Sequence, residues 1–152
     1  MIDKNIFLKR QCGECGERQL AIVNGKNTFT TSWRDFPLVF VTVDFEVLQC
    51  QNCGNFITHD ADSVDRAIEA SLCSQTRQFI DIIKSKTHLK SKDIAALIGI
   101  SATYLSSLHS GARYPSFQIW NFLKVTALDP VEMCRKLNPE LDVVNVDLLL
   151  HA

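Results

Sequence analysis

A chain of 152 residues with 46% apolar and 22% charged side chains has the length of one compact domain or two small ones and the composition of an ordinary soluble globular protein. No apolar run approaches the ~18–20 residues that span a bilayer, so no membrane is expected as a partner. The net charge of −1 argues against a broadly basic nucleic-acid binder.

The first residues, MIDKNIFLKRQ, carry no signal-like apolar core. The expected location is therefore cytoplasmic, where thiols stay reduced. That matters because two C-x-x-C-G knots follow: Cys12, Cys15 and Gly16, then Cys50, Cys53 and Gly54. Such thiols can form a metal clamp, a redox pair or two disulfides. A reducing compartment disfavours disulfides. A thioredoxin-like motif needs its C-x-x-C before a helix in a βαβ unit, and neither pair has that setting. Each pair can, however, point both sulfurs at one ion, and four thiolates complete a closed tetrahedral zinc site. The expectation is one structural Zn2+ per chain on Cys12, Cys15, Cys50 and Cys53, with no open position for catalysis. The glycine after each second cysteine permits the left-handed turn that aims backbone N–H groups at sulfur.

Between the knots the sequence reads as strands. Residues 19–23 are apolar, Asn24-Gly25 is a hairpin signal, and residues 27–33 continue with Thr and Phe. From Val39 the pattern alternates: Val39, Val41, Val43, Phe45 and Val47 on one face, Thr42, Asp44 and Glu46 on the other, with Pro37 at the entrance. A sheet this small needs a staple, which the metal supplies. His59 reads as an exposed loop residue, and Cys73 and Cys134 as small buried hydrophobes. The first predicted domain is a small antiparallel β zinc-binding unit over residues 1–61.

An all-α domain is predicted over residues 62–152, giving an α+β fold class. Asp62 is its candidate N-cap, and Val64, Ile68, Leu72, Phe79 and Ile83 mark one helical stripe with Thr76 in the gap. One helix over 63–85, ~34 Å long, or two helices with a break near Ser74 both fit. The stretch LKSKDIAALIGISATYLSSLHSGARYPS is the most informative in the chain. It predicts a helix over 91–98 with Ile94, Leu97 and Ile98 inward and Ala95 allowing close packing. Gly99 ends that helix. Ser101 then caps a second helix with Leu105 and Leu108 inward and Ala102, Thr103, Ser106 and Ser107 outside. This is a helix-turn-helix pattern, although an αα-hairpin of any helical bundle would also fit.

Charge weighs on that choice. Between residues 84 and 114, Lys84, Lys86, Lys90, Lys92 and Arg113 face Asp93 alone, with His88 and His109 beside them. An acidic chain with one basic window reads as a footprint for a polyanion. Candidate DNA contacts are Lys90, Ser91, Lys92, Ala102, Thr103, Tyr104, Ser106, Ser107 and Arg113. After the Gly111–Ser116 turn, Ser116 caps a helix apolar nearly all round: Phe117, Ile119, Trp120, Phe122, Leu123 and Val125. Asp129-Pro130-x-Glu132 restarts the chain, Pro139 ends that helix, and the apolar tail LDVVNVDLLL is expected to pack on the second face of the Ser116 helix, in its own chain or a partner's.

The framework of Ala95, Gly99, Ser101, Leu105, Leu108 and Gly111, closing in Pro115-Ser116, resembles the Xre/Cro-type helix-turn-helix family. With both knots in front, residues 12–128 look like the MqsA-type antitoxins, the YgiT zinc-finger class. The resemblance implies a zinc domain able to hold a toxin and a C-terminal domain that dimerises and represses its own operon. Where that family carries Asn and Arg base readers this chain has Thr103 and Ser107, which cannot make bidentate base contacts. The usual Gln opening the second helix is Ser91. The expected function is a homodimeric, sequence-specific transcriptional repressor of antitoxin type; the alternative is an antitoxin that mainly sequesters a cognate toxin through its zinc domain. No Ser/His/Asp grouping, phosphate loop or open metal site suggests an enzyme.

Overall fold

The computed structural model of the chain describes residues 8–24, 26–44, 46–57 and 61–140. The expectations for Gly25, Phe45, His59 and the 141–150 tail lie outside these residues. The fold is α+β: an N-terminal antiparallel β region, then a five-helix region. Two compact units result, Met1–Ile68 and Glu69–Ala152.

In the first unit, strands β1 (Leu20–Val23), β4 (Val47–Cys50) and β5 (Phe56–Ile57) form one sheet in the order β1-β4-β5, and β2 (Lys26–Trp33) and β3 (Phe36–Asp44) form another. This corrects the hairpin expected at Asn24-Gly25, because β1 pairs with β4 and not with β2. The register places Leu20 opposite Cys50 and Val23 opposite Val47. The knuckles explain the choice, since bringing Cys12 and Cys15 to Cys50 and Cys53 delivers β1 alongside β4. β2 instead turns tightly through Arg34 and Asp35 into β3, with Arg34 at φ 49.

The alternating run from Val39 also divides. Val39, Val41 and Val43 are buried on β3 while Thr42 and Asp44 are exposed, but the strand ends at Asp44 and Val47 opens β4, where Val47 and Leu48 are both buried. Period-two patterning thus runs across a strand boundary. The inner face is closed by Trp33, whose ring lies 6.3 Å from that of Phe36 and whose indole N–H donates to Asp65 at 3.0 Å.

Helix α1 (Ala61–Thr87) runs without the break allowed near Ser74. It starts before Asp62, which sits inside the first turn and does not cap it. Ile68, Leu72, Thr76 and Ile83 are buried as the stripe predicts, and Ile80 joins them. Thr76 is tolerated there because its hydroxyl donates to Leu72 O at 2.6 Å.

The second unit adds α2 (Ser91–Ile98), α3 (Ala102–Ser110), α4 (Phe117–Leu128) and α5 (Pro130–Leu137). Their boundaries follow local chemistry. Gly99 closes α2; Ser101, Ser116 and Asp129 accept from the amides of Tyr104, Ile119 and Glu132; and Pro130 opens α5. One core joins these helices to α1, with Ile80, Ile83, Ile94, Leu105, Leu108 and Leu123 at its centre. Cys134 is fully buried in it, as expected, whereas Cys73 is half-buried and its thiol lies 3.5 Å from Arg113 O.

At the end of α1 the His88 amide donates to Lys84 O while His88 itself takes φ 54. A β-carbon makes this left-handed conformation costly. Replacing exposed His88 by Gly should therefore stabilise the second unit by about 0.5–1 kcal/mol, after allowing for glycine's freedom in the unfolded chain. Urea unfolding followed by helical circular dichroism checks this, and an unchanged or lower midpoint would contradict it.

Candidate metal centre and nucleic-acid interface

The two cysteine knuckles are built alike. The Cys12 amide donates to Glu17 O and the Gly16 amide to Cys12 O; the Cys50 amide donates to Asn55 O and the Gly54 amide to Cys50 O. All four bonds are 2.8–2.9 Å. Gly16 and Gly54 sit at φ 75 and 74, where a side chain would be strained. Each knuckle therefore curls its two sulfurs towards the same point.

The four sulfurs lie within 4.8 Å of one another. Cys12 Sγ is 3.6 Å from Cys53 Sγ, and Cys15 Sγ is 3.6 Å from Cys50 Sγ. These are free thiols, not disulfides, whose sulfurs would be bonded at about 2.0 Å. A tetrahedral ion with metal–sulfur bonds of about 2.3 Å, the length for zinc, holds its sulfurs about 3.8 Å apart. The cluster suits one metal ion, with Cys12 and Cys50 buried, Cys15 half-buried and Cys53 exposed.

The electrostatics of the cluster suit a cation. Backbone amides at Cys15 and Glu14 lower the Cys12 pKa. The Glu17 amide and the Asn52 side chain bring Cys15 down to about 7. Cys53 accepts from the Asn55 amide, which acts to lower its pKa, yet desolvation of its sulfur within the cluster and the thiols of Cys12, Cys15 and Cys50 push it up to about 12. Packed this closely, the four cannot share four negative charges without a counterion. Asn52 is not marked by the C-x-x-C-G pattern itself. Its place between Cys50 and Cys53 was the available signal, because a polar residue inside a knuckle can donate to sulfur.

An open groove of about 720 Å³ lies beside this cluster, lined by residues that include Phe29, Val47, Cys53, Phe56 and Val64. The rings of Phe29 and Phe56 are 6.0 Å apart. On the outer face of β3, Leu38 and Phe40 are 50% and 60% exposed.

In the second unit α2 and α3 pack together across the Gly99–Ser101 turn. Leu105 and Leu108 are buried, and Ala102, Thr103 and Ser106 are exposed on α3. Ser107 departs from the expected outer face: it is half-buried, and its hydroxyl donates to Tyr104 O at 2.7 Å. Lys90, Lys92 and Arg113 are exposed, while Ser91 and Tyr104 are half-buried. Lys90 is the residue preceding α2 and offers no side-chain cap, so Ser91 is its first helical residue. Among the described residues, no helix is long and apolar enough to cross a membrane. A scan of the chain against protein-family models finds no match, and a search of curated proteins finds none either.

Proposed function

We propose that this chain is a cytoplasmic DNA-binding repressor of antitoxin type and not an enzyme. One structural zinc on the four cysteines holds the N-terminal unit, and α3 reads duplex DNA. The observation that carries the reading is the α2–turn–α3 pair. Its leucines are buried, its cap is made by Ser101, its outer face of Ala102, Thr103 and Ser106 is exposed, and Lys90, Lys92 and Arg113 in the flanking segments are exposed as well. In a chain of net charge −1 the sequence window from Lys84 to Arg113 is basic, as a polyanion-binding segment requires.

Side chains this short make single hydrogen bonds and methyl contacts at base edges, so phosphate contacts and DNA shape carry much of the affinity. Exposed Val125 and Leu128 on α4 and Leu137 on α5 support a homodimer through the C-terminal half. Two-fold symmetry would then let two copies of α3 reach major grooves ~34 Å apart. The test is a salt titration on a duplex selected from a random library by the wild-type protein, and on a scrambled duplex. Lys92→Ala or Arg113→Ala should weaken both alike and reduce the salt slope by about one. Thr103→Ala should weaken only the selected duplex, by roughly 1–3 kcal/mol per altered base pair, with two chains bound per site. Equal loss on both duplexes for Thr103→Ala would show that α3 is not the reader.

The second reading, sequestration of a toxin by the zinc unit, is favoured by a different observation: Leu38 and Phe40 exposed on β3, and the groove beside Cys53. Co-purification with the product of an adjacent reading frame tests it, and substitution of Phe40 by Ser should release that partner without changing DNA binding.

A further inference from the structure

Helix α3 ends on carbonyls that its own helix cannot satisfy. Leu108 O and Ser107 O are taken by the amides of Gly111, Ala112 and Arg113. The next two, His109 O and Ser110 O, accept from Arg77 Nε and Nη2 on α1, each at 2.9 Å. One turn further along α1, Asp81 Oδ1 lies 2.7 Å from His109 Nε2. We propose that Arg77 and Asp81 form a clasp on the end of α3 that sets the angle at which its outer face is presented to DNA. The proposal rests on the helix-turn-helix reading above.

The physical case is one of direction. Leu105 and Leu108 bury α3 against the core through apolar contacts, which are non-directional. Hydrogen bonds are directional, and the guanidinium fork is planar, so two adjacent carbonyls held by one fork define an orientation. Its charge also complements the negative end of the helix dipole. Arg77 is exposed, so it adds little to the core, and its role lies in these bonds. Gly111 leaves room for it: a β-carbon there would stand 3.1 Å from Arg77 Nη2, at a backbone φ of +79. Arg77 is thus a positioning residue for recognition and not itself a phosphate contact.

Arg77→Lys separates the two roles. Lysine keeps the charge but is a point donor that cannot fork two carbonyls. Full-length wild type, Arg77→Lys and Arg77→Ala would be compared on the selected and scrambled duplexes, with amide hydrogen exchange at Gly111, Ala112 and Arg113 measured in the free protein. Both variants should speed exchange at these amides, and both should lose about tenfold in affinity for the selected duplex. Affinity for the scrambled duplex and the salt slope should not change. Rescue by lysine, with equal losses on both duplexes in Arg77→Ala, would make Arg77 a phosphate contact and overturn the proposal. Unchanged exchange in Arg77→Ala would overturn it as well. If the wild-type protein does not distinguish the two duplexes, the DNA reading fails and takes presentation to DNA with it, while exchange still decides whether the clasp exists.

Discussion

Chelation of the metal should unfold residues 12–57 and leave α2 to α5 intact. The first unit is small: β1 and β4 are four residues each and β5 is two, the β2–β3 hairpin buries one face of valines under Trp33 and Phe36, and two of the unit's buried side chains, Cys12 and Cys50, belong to the candidate metal site. Sheets of this size bury too little to fold alone. Zinc binding in comparable small sites is worth an apparent ~10–16 kcal/mol, as much as the whole stability of a typical domain. The β1–β4 register adds to the dependence, because Leu20 meets Cys50 only when the knuckles are together. Elemental analysis should find one zinc per chain. After chelation, methyl resonances of Val39, Val41 and Val43 should collapse while those of Leu105, Leu108 and Leu123 persist. Cys50→Ser should behave like the chelated protein, and Cys73→Ser should keep its zinc. A protein without metal, or one whose valine signals survive chelation, would refute this.

The converse loss is expected from Leu108→Ala. Leu108 is fully buried in the helical core beside Ile80, Ile83 and Leu105, and truncating such a side chain costs about 2–5 kcal/mol. Set against a domain stability of about 5–15 kcal/mol, that is a large fraction of the total, which lowers the unfolding midpoint without abolishing the fold. Helical circular dichroism in urea should show the midpoint falling sharply, with zinc content unchanged. Val125→Ala on α4, where the side chain is partly exposed, should cost under about 1 kcal/mol in the isolated chain. If Leu108→Ala also expels zinc, the two units do not fold independently.

The residues that these two experiments probe were legible to different degrees. C-x-x-C-G is a local instruction, since the knuckle hydrogen bonds span at most five residues, so both halves of the metal site could be read from the chain. The helix boundaries of the second unit were equally readable. Gly99, Ser101, Ser116 and Asp129-Pro130 act on amides and carbonyls within a turn of themselves. The charge of the window from Lys84 to Arg113 needs no fold at all.

Strand partnership was not local, and there the tertiary structure decided. Asn24-Gly25 favours a hairpin, but joining the knuckles brings β1 to β4, and a strand can pair with only one neighbour on a given edge. The alternation through Val39 to Val47 records which faces are buried, without recording that the chain changes sheets after Asp44. Arg77 and Asp81 look, on the sequence, like an ordinary i,i+4 pair on a solvated helix face. Their partners, His109 and Ser110, are more than 25 residues away, and only the packing of α1 against α3 brings those two carbonyls to Arg77 and the His109 ring to Asp81. Contacts closed within one turn were set by the amino-acid order. Those closed across the core depended on which faces the core had already joined.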